Sequence, residues 1–212
     1  MAGRFSLTAS PQEVAEYFGL AAIDGFPPRP LILPTQPIMV VLAGREGRVE
    51  TYQEGREATL VRWGLIPGWF RGEEQLPALF NARAETAHEN AAFRGALRHR
   101  RCLVPASAFF RRIGGRDEAG ALRRFCVADE PVFGFAGVME SYMAPDGSEI
   151  DTAAILTAPT HPDDCALVDR FPVIVARRDF GRWLDCRSYE PGGVSDLLAA
   201  PRAEDFTVEA VA

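Results

Sequence analysis

Short apolar runs separated by tight-turn residues dominate this chain, and helical spacing is confined to a few segments. Ser10-Pro11-Gln12-Glu13 has the form of a capping box with proline at the first helical position. Gly19 supplies the stop, and Val14, Tyr17 and Phe18 form the apolar stripe between. A proline-rich connector, Gly25 to Pro37, leads to a strand over Ile38–Leu42. Turns at Gly44–Gly47 and Glu54–Gly55 separate it from strands over Val49–Gln53 and Thr59–Trp63. Thr86 with Glu89 predicts a further helix that turns Phe93 and Leu97 inward and Arg94, Arg98, Arg100 and Arg101 elsewhere. Strands follow over Cys102–Val104, Ala108–Arg112, Arg123–Val127, Val132–Met139, Ala153–Thr157 and Val173–Val175, with breaks at Gly114-Gly115 and Asp129-Glu130. A short helix starts at Thr160-His161-Pro162-Asp163, and two more close the chain near Arg178–Asp185 and Ser195–Ala199. The pattern predicts one α+β domain over residues 1–212, with a mostly antiparallel, barrel-like sheet and peripheral helices.

One stretch departs from ordinary core patterning. In Trp63 to Thr86 a Pro67-Gly68 turn is followed at once by Trp69 and Phe70. In an extended chain neighbouring side chains point apart, so one aromatic anchors while the other stays exposed. Further on, Asn81, Arg83 and Glu85 alternate with Phe80, Ala82 and Ala84, which gathers an amide, a guanidinium and a carboxylate on one face. Two readings stand open at this point. One is a core tryptophan beside a solvated strand face; the other is a stacking platform next to a pocket that grips an anion.

Composition is that of an ordinary globular protein, with 47% hydrophobic and 25% charged residues among 212. The most apolar run, Leu31 to Ala43, is too short to span a bilayer and is interrupted by Pro34 and Pro37, so no membrane association is expected. Arg4, Ser6, Thr8 and Ser10 break up the first ten residues and leave no secretory signal there. Cys102, Cys126, Cys165 and Cys186 form no close pair, and only His88, His99 and His161 stand beside them. Neither a zinc site nor a disulfide framework is expected, no cofactor is implied, and a reducing cytoplasm fits best. Net charge is −6, yet nine arginines stand against Asp117 and Glu118 between Arg94 and Arg124, a local balance of +7 that leaves −13 for the rest. Such asymmetry fits a basic patch on an acidic protein, or a salt-bridged surface. All 23 basic residues are arginine, so the only amine available for Schiff-base chemistry is the N-terminal one. Walker A, GxGxxG, GxSxG and HExxH motifs are absent.

Several short motifs occur in a telling order: Gly3-Arg4-Phe5, Pro34-Thr35-Gln36-Pro37, Trp63 to Pro67 with Gly68-Trp69, Asn81 to Thr86, Cys102 to Ala106, Ile155-Leu156-Thr157 and Asp169 to Ile174. Together they resemble the SOS-response-associated peptidase (SRAP) family, which handles abasic sites in single-stranded DNA, and the resemblance runs from residue 1 to about residue 185. It implies an α+β fold with a barrel-like core and a positively charged groove for single-stranded DNA. It also implies a nucleophilic cysteine at position 2, exposed after Met1 is removed, whose amine and thiol close a thiazolidine on the ring-opened sugar. An asparagine, a glutamate and a histidine surround that cysteine in the family.

Here those positions read Ala2, Leu31, Arg111 and Val168. No thiol is present to close the ring, and Arg111 reverses the charge of the glutamate it replaces. The positions that hold DNA in the family are kept: Arg4, Asn81, Arg83 and Arg170 match residues at phosphates or backbone, Trp69 and Phe70 match the aromatic wedge, and Pro34 and Thr157 also correspond. Guanidiniums fork onto phosphate oxygens, and each base–aromatic stack contributes about 1–3 kcal/mol. The same residues also have a purely structural reading, as groups that bond one another and hold the barrel together. Three functions follow: a catalytically silenced member that binds single-stranded, abasic or gapped DNA; a residual abasic-site lyase acting through the Ala2 α-amine; or a protein-interaction module without DNA.

Overall fold

The capping box at the N-terminus forms as its residues dictate. Ser10 Oγ accepts from the Glu13 N–H at 3.2 Å and Glu13 Oε2 accepts from the Ser10 N–H at 2.7 Å, starting helix α1 (Pro11–Phe18). Gly19 ends it in the left-handed region at φ 67°. Val14 and Phe18 are buried, whereas Tyr17 is half-buried and donates its hydroxyl to Glu130. The computed structural model describes residues 3–44, 55–71, 79–113, 120–164 and 168–211. Ala2, the strand expected over Val49–Gln53, the Gly114-Gly115 break and Cys165 lie outside the described residues.

Thirteen strands are described: β1 (Phe5–Leu7), β2 (Arg29–Ile32), β3 (Pro37–Ala43), β4 (Arg56–Trp63), β5 (Asn81–Arg83), β6 (Arg101–Ala106), β7 (Ala108–Ile113), β8 (Ala121–Val127), β9 (Phe133–Met143), β10 (Glu149–Pro159), β11 (Arg170–Pro172), β12 (Ile174–Val175) and β13 (Phe206–Ala210). One sheet runs β13-β8-β7-β1-β2, and the other β11-β10-β4-β3-β6-β9-β12. Because β9 and β10 also pair with each other, β10, β4, β3, β6 and β9 form a barrel-like ring. Among the described strand-to-strand pairings only those of β10 with β4 and with β5 are parallel, and the isolated bridge from Leu20 to Arg56 is parallel too. Between ring and sheet lies an aromatic core in which Phe109 meets Phe125, Phe135, Phe171 and Phe206 at centroid distances of 5.0–6.1 Å. Gly137 is required opposite Cys102, since a Cβ there stands 2.8 Å from the Cys102 sulfur.

The architecture agrees with the expected α+β, mostly antiparallel plan, but four local expectations are corrected. The proline-rich connector contains β2, an edge strand whose Pro30 costs no ladder bond on its open side. No helix starts at Thr86. Residues 84–93 are turns, the Asn90 side chain takes the Ala92 N–H at 2.9 Å, and helix α2 (Arg94–His99) begins only afterwards. Arg101 points inward at 2% exposure. Its guanidinium donates to the carbonyls of Leu97, Trp183, Asp185 and Tyr189 and lies 5.5 Å from the centroid of the Trp183 ring, so one planar fork ties β6 to the segment that follows helix α3 (Phe180–Leu184). Beyond that, the segment expected to be helix and tail makes a 3-10 run, Pro191–Leu198, and then β13 along β8, where Phe206 completes the aromatic core. No helix among the described residues is long and apolar enough to cross a membrane.

Candidate functional site

Trp63, at the end of β4, is the structural hub of the stretch singled out in the sequence. It is fully buried, its ring meets Phe5 at 5.0 Å and Phe80 at 5.9 Å, and its indole N–H donates to the Phe80 carbonyl at 2.8 Å. Its backbone holds the Pro34-Thr35-Gln36 turn from both sides: Thr35 N–H donates to the Trp63 carbonyl at 2.7 Å, and Trp63 N–H to the Gln36 carbonyl at 2.9 Å. β4 and β5 lie end to end along one edge of β10, paired at Thr152–Ala153 and Ile155–Thr157 respectively. The chain therefore leaves an almost continuous edge at Gly64 and rejoins it at Phe80, and the base of this excursion is clasped by the Leu65 N–H to Leu79 carbonyl bond.

The two aromatics of that excursion divide as their spacing predicts. Trp69 is 58% exposed and touches the protein through a 3.4 Å bond from its indole N–H to the Ala91 carbonyl. Phe70 is half-buried, with its ring 6.0 Å from Tyr142. On β5 the alternation also holds: Ala82 and Ala84 are buried, Arg83 and Glu85 exposed.

One end of the ring gathers most of the remaining candidates. The β5, β10 and β11 ends bring Arg83, Thr157 and Arg170 together, with Arg83 opposite Thr157 and Arg170 opposite Pro159. The N-terminal strand enters the same mouth between β7 and β2: the Phe110 N–H donates to the Arg4 carbonyl at 3.0 Å, and Gly3 lies against the Phe80 ring. Asn81 is half-buried there, next to Phe80. Pro34 opens the turn that Trp63 holds.

Electrostatically the arginines fall into two kinds. Arg170 donates Nη1 and Nη2 to the two Glu85 oxygens at 2.6 Å each, and Nη2 and Nε to the carbonyl and hydroxyl oxygens of Thr157 at 2.6 and 3.3 Å. Hydrogen bonding from Arg170 holds the Glu85 carboxyl below its ordinary range, with Arg83 adding a smaller pull in the same direction. Arg111, with its side chain 12% exposed, donates to Asp169 Oδ1 at 2.9 Å. By contrast, Arg4 and Arg83 have no ion-pair or hydrogen-bond partner for their guanidiniums among the described residues.

The positions where the resemblance places lost chemistry do not all share one wall. Arg111 and Val168 are brought together through Asp169; Val168 is 5% exposed, and its carbonyl accepts from the Thr160 hydroxyl at 2.7 Å. Leu31 lies elsewhere. Ile32 faces Phe5 in the core, so Leu31, at 49% exposure, is on the outer face of the sheet, whereas Arg111 shares the inner face with Phe109 two residues before it. Ala2 is outside the described residues.

The arginine-rich segment is partly salt-bridged: no ion pair joins Arg94, Arg112 or Arg123 to an acid among the described residues, and Arg112 donates to the Gly120 carbonyl. Arg98, Arg100, Arg111 and Arg124 pair with Glu190, Glu140, Asp169 and Glu209, Arg101 is buried, and Arg116 is outside the described residues. A cavity of about 440 Å³ lies behind Glu85, lined by Ala84, His88, Leu97, Pro159 and Leu198; none of Arg4, Arg83, Arg111 or Arg170 lines it, so the site is an exposed face rather than this cavity. Among the described residues no three His, Cys, Asp or Glu side chains assemble as a metal site. Sequence reasoning missed the roles of Asp169 and Glu140, both acids whose partners lie far along the chain.

A barrel-like ring with a parallel insertion at β10, an exposed tryptophan on an excursion and arginines at the ring mouth define a recognisable class. A model of the family "SOS response associated peptidase (SRAP)" matches residues 1–212, and the chain belongs to that family. It is 30% identical over 212 residues to the abasic site processing protein YoqW of Bacillus subtilis (strain 168), covering 97% of this chain and 90% of that one. It is 26% identical over 148 residues to the abasic site processing protein HMCES of Gallus gallus, covering 59% and 44%. A solved protein from Bacteroides thetaiotaomicron superposes with TM-score 0.83 at 22% identity, over 99% of this chain and 91% of that one. Another, from Bordetella bronchiseptica, gives 0.82 at 24% identity over 99% of both. These two show the shared fold.

Proposed function

We propose that this protein binds single-stranded DNA, abasic or gapped DNA included, as part of the response to DNA damage, and that the family's covalent chemistry is silenced. It acts in the cytoplasm, at the nucleoid when DNA-bound. The observation that carries the reading is the sorting of arginines at the ring mouth. Arg111, where the resemblance puts a glutamate, is ion-paired with Asp169 beside Val168, so that position supplies no carboxyl for acid or base chemistry. Arg4 and Arg83 keep their guanidiniums for phosphate, and the exposed Trp69 offers a ring face on which a base stacks. The named relatives, abasic site processing proteins, support DNA as the partner. The test is affinity for a short single strand as a function of salt. Two phosphate contacts predict a log–log slope of about −1.4, and Arg83→Ala lowers it by about 0.7. A slope near zero, or no binding at low salt, rejects the reading and favours a protein-interaction module.

A second reading is favoured by the path of Gly3 along Phe80, which brings the chain start to the same mouth. Once Met1 is removed, the Ala2 α-amine, with a reference pKa of about 7.7–8.0, condenses with an abasic aldehyde to an imine and water, and β-elimination then cleaves the strand. Borohydride trapping on abasic DNA decides between the two: a covalent adduct with processed protein supports the lyase, and its absence supports silencing.

A further inference from the structure

We propose that Thr152 and Glu140 are positioning residues that hold Trp69 in a stacking-ready pose, an inference that rests on the DNA-binding reading above. Neither residue belongs to the motifs that carry the family resemblance. They face each other across β9 and β10, directly beneath the excursion that carries Trp69.

Thr152 is fully buried, and its hydroxyl is satisfied in both directions. It accepts from the Ile66 N–H at 3.0 Å and donates to the Glu140 carbonyl at 3.0 Å. It thereby fixes the first residues of the excursion to the ring, next to the bond from the Gly64 N–H to the Ala153 carbonyl at 2.8 Å. The Glu140 carboxylate, 13% exposed, lies 3.8 Å from where a Gly68 Cβ would stand and is ion-paired with Arg100 at the end of α2. That pairing neutralises an acid that would otherwise face a polyanion beside the wedge. Ala91, just before α2, receives the Trp69 indole N–H, so the α2 segment braces the excursion at both its ends. Tyr142, two residues beyond Glu140 on β9, supports Phe70. An exposed tryptophan that is already ordered loses less side-chain entropy when a base stacks on it, which is how buried residues contribute to binding without touching DNA.

The protein itself supplies the probe. Of its three tryptophans, Trp63 and Trp183 are fully buried and only Trp69 is exposed. Time-resolved fluorescence anisotropy of the free protein therefore separates motion of Trp69, with Trp69→Phe as the background. Thr152→Val, which keeps shape and removes the hydroxyl, is expected to add a fast depolarising component that Thr152→Ser lacks. Affinity for a single strand falls about five-fold with an unchanged salt slope, and Thr152→Val adds nothing further once Trp69→Ala is present. Glu140→Gln, which breaks the tie to Arg100 beside Gly68, is expected to add the same fast depolarising component, and this anisotropy readout serves if Thr152→Val fails to fold. Unchanged anisotropy in the folded variants overturns the positioning role, as does an affinity loss that persists in the Trp69→Ala background. If the wild-type protein binds no single strand, the DNA reading fails, while the anisotropy still reports whether Thr152 orders Trp69.

Discussion

Arg170 holds Glu85 with both ends of its guanidinium, at 2.6 Å on each oxygen, across 85 residues of sequence. One of the arginines that the family resemblance assigns to DNA is therefore also the residue that fixes the acidic end of the Asn81–Glu85 segment. The Glu85 carboxyl is held below its ordinary range by this bond. A depressed folded-state pKa gives stability that is present above the unfolded value, about 4.3, and is lost as pH falls through the folded value. Glu85→Gln is thus expected to cost about 0.5–1 kcal/mol at pH 7, a modest figure because the Glu85 side chain is 40% exposed. The cost shrinks as pH drops from 5 to 3. Urea denaturation of both proteins across that range checks it; a difference independent of pH counts against the ion pair as its source.

Arg111 is matched in charge by Asp169, which it reaches at 2.9 Å. Replacing it with glutamate puts two carboxylates at the same corner, one of them on a side chain 12% exposed. Arg111→Glu is expected to destabilise by about 2 kcal/mol, and Asp169→Arg on top of it to recover part of the loss. Asp169→Asn alone costs less than about 1 kcal/mol, since Asp169 is 77% exposed. A double-mutant cycle measured by chemical denaturation gives the coupling directly.

Two tryptophans six residues apart have opposite expected phenotypes. Trp69→Ala leaves stability within about 0.5 kcal/mol because the ring is largely in water, but lowers single-strand affinity by about 1–3 kcal/mol. Trp63→Ala removes a fully buried ring that also bonds the Phe80 carbonyl, and costs about 3–5 kcal/mol of stability. Thermal melts and binding titrations on the pair separate the two roles.

Thr35 sits at φ 75°, a left-handed conformation that β-branched residues rarely adopt. The two bonds between its turn and the Trp63 backbone hold it there. Thr35→Asn, a residue that tolerates this region, is expected to stabilise the protein by about 1 kcal/mol. A lower melting temperature for the variant argues that the threonine side chain makes a contribution larger than its strain.

The residues themselves determined much of this protein. Local signals such as Ser10 to Gly19, or the alternation from Phe80 to Glu85, depend on bonds and faces a few residues apart, so helix α1 and the β5 face were legible before any coordinates. The ordered motifs from Gly3 to Ile174 were enough to identify the family, and with it the ring of strands. Only the tertiary structure decided which arginines remain available. Arg101 differs from Arg100 by one position, yet one is buried on four carbonyls and the other braces Glu140. Arg170 and Arg111 find acids 85 and 58 residues away, whereas Arg4 and Arg83 form no ion pair among the described residues. Charge pairing at that separation is set by how strands register in space, and no local pattern in a chain encodes it. The same holds for β2 and β13, whose weak strand signals are overridden by the sheet edges they pair with.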